Sequence, residues 1–312
     1  MKKVGFSLVI ILGMLFLLEG FSRLLLSKLY NRDFDSSLII ENKYGTSSGL
    51  KPSAKGKVWG QQFTTDKFGG RASGVPLNSN KKKWLFIGDS VTEGVGVDDE
   101  STFASRHARD FLNYDVLNIS LIGYSVTDYY NVLNHWLEND TSVELVTLFF
   151  CLNDVYGPVK STDLPAIGRQ DMTGKVSSFL QKNYNTYKLL KLLVFRFNDR
   201  YYQYDFQFYQ PEHLYFLNSV NALKVCQELC NQRGVFFQVV MMPYQSQLRS
   251  ENPNVLQPQK LLGAYFLTNG IEFSDAYDYL KKRTNVNELY LFGDEIHFSE
   301  KGHAAMAGFL SE

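Results

Sequence analysis

Cysteine is scarce in this chain: three of its 312 residues, Cys151, Cys226 and Cys230, which is too few for a disulfide framework. Their positions match no metal-ligand spacing, and Cys226 and Cys230, four apart on one expected helix, read as small core residues. So few cysteines suit either side of a membrane. Charge of one sign is missing too, since 32 basic residues balance 32 acidic ones. Without a basic excess there is no long-range pull on phosphate, and nucleic acid is not an expected partner. There is no Gly-x-Ser-x-Gly elbow, no His-Glu-x-x-His zinc helix and no Gly-x-x-x-x-Gly-Lys-Ser/Thr phosphate loop. Gly94-Val-Gly96 lacks the third glycine of a dinucleotide fingerprint. Nothing in the sequence calls for a metal or an organic cofactor, and no internal repeat or low-complexity block interrupts it. Aromatic residues, by contrast, make up 15% of the chain, a composition that folds rather than staying disordered.

An apolar run from Val4 to Leu18 follows Met1-Lys2-Lys3, and a helix extended through Glu19 and Arg23 to Leu26 has the length of a bilayer crossing. Glu19 and Arg23, four apart, are placed to pair on one face near an interface. No small-x-small site follows, so the preferred reading of residues 1–29 is an uncleaved transmembrane anchor, with a cleaved signal as its alternative. Lys2 and Lys3 before the helix are matched by Arg23, Lys28 and Arg32 after it, so flanking charge leaves the orientation undecided. Residues 30–80 show no sustained period and read as a stalk and lead-in, with one strand expected over Val58–Thr65.

From Trp84 the pattern becomes regular. Short apolar runs at 84–87, 116–120, 143–150, 235–242 and 271–273 alternate with helical stretches at 99–113, 125–138, 213–233, 257–268 and 276–282, and a last helix is expected over 299–309 with Ser299 as its cap. This alternation predicts an α/β domain over 81–312 with a mostly parallel sheet covered by helices on both faces. Residues 156–212 break the rhythm and read as an insertion near the mouth of the site. It holds a helical stretch over 176–197 and a tail with Tyr201, Tyr202, Tyr204, Phe206, Phe208 and Tyr209. Those rings suit a glycan or acyl-group platform; the alternatives are packing of the insertion itself or contact with lipid headgroups.

The first of these strands stops on Gly88-Asp89-Ser90, at the carboxyl edge where open α/β sheets keep their chemistry. A serine hydroxyl needs a base to take its proton, and the base needs a third group to orient it. Among five histidines His297 stands out, because Asp294 three residues earlier is placed to fold back onto its imidazole; His303, one turn into the last helix, reads as structural. Strand ends at Ser90, Gly123 and Asn153, together with Asp294 and His297, gather at one edge of such a sheet.

These blocks, in this order, resemble the SGNH or GDSL-type hydrolase superfamily, and the resemblance spans Gly88 to His297. It implies a flavodoxin-like three-layer sandwich. It also implies Ser90 as nucleophile, His297 as base and Asp294 as its partner, with an oxyanion hole formed by the Ser90 and Gly123 backbone amides and the Asn153 side chain. Where the family commonly has glycine two residues before that asparagine, this chain has Cys151, a change expected to narrow the pocket or shift Asn153. The anchor and the Asp66-Lys-Phe-Gly-Gly-Arg71 lead-in further resemble membrane-anchored relatives that serve the bacterial envelope or exopolysaccharides. That resemblance implies an extracytoplasmic esterase that removes acyl groups, often acetyl, from a glycan or small ester. O-acyl transfer at the same site is the alternative, as is a catalytically retired polysaccharide-binding protein with envelope assembly partners.

Overall fold

The computed structural model describes residues 2–78, 80–156, 172–195, 199–283 and 285–312. The chain begins with a single long helix, α1 (Lys2–Leu29), whose stretch Phe6–Leu29 is long and apolar enough to cross a membrane. The expected Glu19–Arg23 pair is not what the structure shows. Glu19 instead accepts hydrogen bonds from the Asn185 and Thr186 backbone N–H groups at 2.6 and 2.9 Å, far away in sequence.

Residues 30–80 do not form a stalk. Two antiparallel hairpins, β1 (Ile39–Tyr44) with β2 (Ser47–Leu50) and β3 (Lys55–Val58) with β4 (Gln61–Thr64), pack onto the domain. They send Tyr44, Leu50, Val58 and Phe63 into its core, and Leu38, just before β1, joins them. The strand expected over Val58–Thr65 is broken because Trp59 and Gly60 both take positive φ, 51° and 80°, and form the hairpin tip.

The α/β rhythm follows as the sequence predicts. β5 (Lys82–Ile87) leads through α2 (Ser90–Glu93) and α3 (Phe103–Asp110) to β6 (Tyr114–Asn118), and α4 (Val126–Asn139) leads to β7 (Val143–Cys151). The helix expected over 176–197 is two helices, α5 (Met172–Asn183) and α6 (Asn185–Phe195), because the Glu19 carboxylate caps a new amino terminus at Asn185. Residues 157–171 and 196–198 of the expected insertion lie outside the described residues. Next come α7 (Arg200–Phe206), α8 (Leu214–Gln232), β8 (Phe236–Met242), α9 (Gln245–Arg249), α10 (Gln257–Asn269), β9 (Glu272–Asp275), α11 (Tyr277–Lys281) and α12 (Glu300–Phe309). The cap expected at Ser299 is in place, its hydroxyl accepting from the Gly302 N–H on α12, and Ser125 and Asp128 form a capping box on α4.

All five long-range strands run parallel in the order β6-β5-β7-β8-β9. This is the flavodoxin-like order, whose switch point falls between β5 and β7. α4 and α8 pack together on one face, and α3 and α12 on the other, which gives the three layers. The core strands read as continuous apolar runs because both faces are covered: Leu85, Phe86, Ile87, Leu148, Phe149 and Phe150 have no exposed surface. Of the aromatic tail, Tyr202, Tyr204, Phe208 and Tyr209 join this core, with the Tyr209 hydroxyl donating to the Leu152 carbonyl at 2.7 Å. These four rings pack the domain rather than forming an open platform.

Gly302 tests how tightly α12 is seated. A Cβ there would lie 1.9 Å from the Leu289 carbonyl oxygen, a backbone atom that cannot swing away. Gly302→Ala is expected to cost about 1–3 kcal/mol of stability, read as a lower urea midpoint; an unchanged midpoint would show that the α12 packing is looser than described.

Candidate active site

The site is built where β5 ends. Gly88 lets the chain turn against its neighbours, since a Cβ there would meet Thr92 Oγ1 at 2.1 Å and the Phe149 carbonyl oxygen at 3.1 Å. Asp89 then caps α2, its Oδ1 accepting from the Val91 N–H at 2.9 Å, and Ser90 opens the helix. A helix of four residues cannot hold itself, and here a buried arginine secures it. The Arg71 guanidinium donates to the carbonyls of Glu93 (2.8 Å), Gly94 and Val97 (2.6 Å), while its Nε bonds Asp99 at 2.9 Å. A guanidinium only 3% exposed is tolerated because its donors are met by carbonyls and a carboxylate.

Glu93, at the end of α2, carries the order across to the next strand end. Its Oε2 accepts from the Ile122 N–H at 2.7 Å, fixing the loop that presents Gly123. Burial pushes the Glu93 carboxyl up to about 8, against the opposing pull of Arg71. Gly123 itself takes φ 84°, with no atom within 4 Å of where a Cβ would stand. No hydrogen bond from its N–H is present among the described residues. At the third strand end, Asn153 directs Nδ2 toward Asp89 Oδ2 at 3.3 Å; the Tyr244 hydroxyl lies 3.3 Å from its Oδ1 and donates to Asp205 at 2.6 Å. Cys151, the departure from the family pattern, is buried at the end of β7, and its N–H donates to Asp154 at 2.8 Å. Burial pushes its thiol well above the ordinary range, so it is inert and offers no rival nucleophile.

The remaining two groups arrive from the loop before α12. Asp294 Oδ1 accepts from the backbone N–H groups of Ile296 (2.8 Å) and His297 (2.9 Å), so the Asp-x-x-His spacing closes on itself. His297 Nδ1 lies 2.9 Å from Asp294 Oδ2, and its Nε2 lies 2.8 Å from Ser90 Oγ. Burial alone would raise the Asp294 carboxyl. The charge and hydrogen bond of His297, helped by Arg32, outweigh it and hold the group well below the usual carboxylate range. Hydroxyl, imidazole and carboxylate therefore form one hydrogen-bonded line, the arrangement that lets a base activate a serine. His303 stands apart, as expected. It is buried, accepts from the Phe103 N–H at 3.2 Å, and is pushed down to about 3 by burial, which keeps it neutral.

Two neighbours of this line carry no sign of a site role in the sequence. Arg32 donates to Asp294 Oδ2 at 2.8 Å, and its guanidinium lies 3.9 Å from the centre of the Trp59 ring. Trp59 in turn meets the His297 ring edge-on, with centroids 4.6 Å apart. Hydrogen bonds between Asp33 and Trp59 and between Asp35 and Lys57 fasten the segment after α1 to the hairpin and bring Arg32, Trp59 and His297 together. The available signals were an arginine soon after the apolar run and a Trp-Gly pair suited to a turn.

A family model for the GDSL-like lipase/acylhydrolase family matches residues 86–305. The chain belongs to that family. Among solved structures it is similar to a lipolytic protein of the G-D-S-L family from Veillonella parvula, with 16% identity over 73% of this chain and 94% of that one, at a TM-score of 0.43. It is also similar to a single-site variant of the acetyl xylan esterase Axe2 from Geobacillus stearothermophilus, with 18% identity over 74% of this chain and 93% of that one, at a TM-score of 0.43. No curated protein matches the chain. Membership of the family supports ester hydrolysis as the general activity of this chain.

The Glu93 linkage gives a pH signature. A carboxyl raised from 4.5 to about 8 in the fold favours the native state fully below about pH 4.5, and that contribution is lost as pH rises through about 8. Glu93→Gln removes the titrating group, so the stability of the variant relative to the wild type is expected to increase steadily between pH 5 and pH 8, followed by urea unfolding at each pH. A difference independent of pH would contradict the assignment.

Proposed function

We propose that this GDSL-family member is a serine esterase that removes an acyl group, in the first instance acetyl, from a carbohydrate or related cell-envelope ester. The observation that carries the reading is the 2.8 Å approach of Ser90 Oγ to His297 Nε2, with Nδ1 of the same ring on Asp294. In this mechanism His297 takes the hydroxyl proton as Ser90 attacks the ester carbonyl. The tetrahedral oxyanion is held by the Ser90 and Gly123 backbone amides and the Asn153 side chain. The alcohol leaves with the proton from the imidazolium, and water then cleaves the acyl-enzyme by the same steps. Asp294, kept ionised by its neighbours, fixes the tautomer and balances the charge that His297 gains.

A sugar hydroxyl in place of water would make the same residues an O-acyltransferase. The unbroken hydrogen-bond line supports an enzyme over a retired polysaccharide-binding protein. α1 fits a single-pass anchor, and an extracytoplasmic placement of the domain rests on the resemblance of the anchor and the 66–71 lead-in to envelope-associated relatives.

The test is acetate release from acetylated oligosaccharides by the detergent-solubilised full chain. Ser90→Ala is expected to abolish it, and release that survives the change would reject Ser90. Asn153→Ala is expected to lose about 3 kcal/mol of transition-state stabilisation, roughly 10²-fold in kcat, with the urea midpoint retained. An unaltered kcat would remove Asn153 from the oxyanion hole. Adding an unacetylated acceptor glycan separates the two reactions, because transfer moves acetyl to the acceptor and hydrolysis frees it.

A further inference from the structure

α5 and α6 form a helical pair that turns apolar stripes outward. Val176 and Phe179 on α5, and Leu190, Leu193 and Val194 on α6, are exposed at i, i+3 and i+4 spacings that give each helix an outward apolar stripe. Lys188 and Lys191 turn inward, while Lys182, beside the turn between the helices, is exposed. Lys191 donates to Ser177 and Gln181 at 3.1 and 3.0 Å, and Lys188 lies 5.1 Å from the Tyr30 ring centre.

This pair lies beside α1. Glu19 and Ser22 meet Asn185 and Thr186 at the start of α6, and near its far end Leu192 approaches Gly293, which Tyr30 also flanks. α6 thus follows α1 from the level of Glu19 to that of Tyr30, about 16 Å at 1.5 Å per residue. A bilayer core needs roughly 20 apolar residues; counted from Phe6, where the apolar span begins, these run past Glu19. Both partners at that level are groups that hydrocarbon would penalise if left alone: a carboxylate inside an apolar run and the first free amides of a helix. Each satisfies the other, with Asn185 Nδ2 adding a third donor at 2.8 Å.

We propose that α5 and α6 are seated at the bilayer next to α1, with the apolar stripes facing acyl chains and the turn at Lys182 and Asn183 kept to the polar headgroup layer. The occupant is lipid, because the stripes continue the exposed apolar surface of the spanning helix at the same depth. Arg32, three residues beyond α1, bonds Asp294, so this seat holds the Ser90 site at the membrane surface.

The test uses the full chain in phosphatidylcholine/phosphatidylglycerol nanodiscs, with nitroxide labels on Phe179→Cys and Val194→Cys and, as an independent pair, Val176→Cys and Leu190→Cys. The three native cysteines are buried, and the labelled wild type sets the background. Leu17→Cys on α1 provides the lipid reference and the exposed Leu112→Cys on the α/β domain the water reference. The ratio of collisions with oxygen to collisions with a water-soluble nickel complex is expected to exceed that of Leu112 several-fold at the α5 and α6 sites, with Leu17 as the upper limit. A ratio equal to that of Leu112 would overturn the proposal, and so would shielding from both reagents, which would signal protein cover. The measurement reads no chemistry, so either result leaves the esterase reading standing on its own test.

Discussion

Parallel strands impose one constraint from which the rest of the site follows: they all end at the same edge. In the order β6-β5-β7-β8-β9, the β5 and β7 ends flank the switch point, and Ser90 and Asn153 are the residues delivered there. What the sheet cannot do is hold a four-residue helix in register. Arg71 does that from the lead-in by binding the carbonyl groups of Glu93, Gly94 and Val97, while Glu93 passes the order on to the Gly123 loop. The turn that carries Ser90 is thus fixed from two sides by buried polar groups, Arg71 and Glu93.

The line that joins Ser90 to His297 crosses 207 positions of sequence, yet its ends were legible, because each rests on local chemistry. Gly88-Asp89-Ser90 ends an apolar run, and Asp294 needs only three residues to fold back on its histidine. The five strands were legible for the same reason, since burial on both faces leaves continuous apolar runs. The contacts of Arg32, Trp59, Arg71 and Glu19 were not legible. A charged or aromatic side chain in an irregular segment carries no periodicity, and nothing local names a partner 262 residues away, as for Arg32 and Asp294. The hairpins over 39–64 were hidden because they are short and bury only scattered residues, Leu38 to Phe63, against the larger domain. The break between α5 and α6 escaped notice because its cause lies in α1.

The segment that follows α1 is consequently part of the site. Arg32 and His297 share the Asp294 carboxylate, and Trp59 lies against both the guanidinium and the imidazole. A positive charge fixed beside Asp294 favours its ionised form, which a base needs when its imidazole becomes charged. Trp59 adopts the left-handed φ of 51° to be there, a conformation that is costly for a bulky residue and held by the hairpin around it. The segment after α1, the hairpin and the α/β domain meet at one carboxylate, and residues 30–78 are folded onto the domain rather than extended away from it.

The central claim is that Ser90 carries the acyl group between the two halves of the reaction. Its most direct test is the mass of the protein quenched in acid during turnover of an activated acetate ester, followed by peptide mapping. The account expects one acetyl adduct on the peptide containing Ser90, absent from Ser90→Ala and sharply reduced in His297→Gln. Turnover with no adduct on that peptide, or an adduct on another residue, would contradict it.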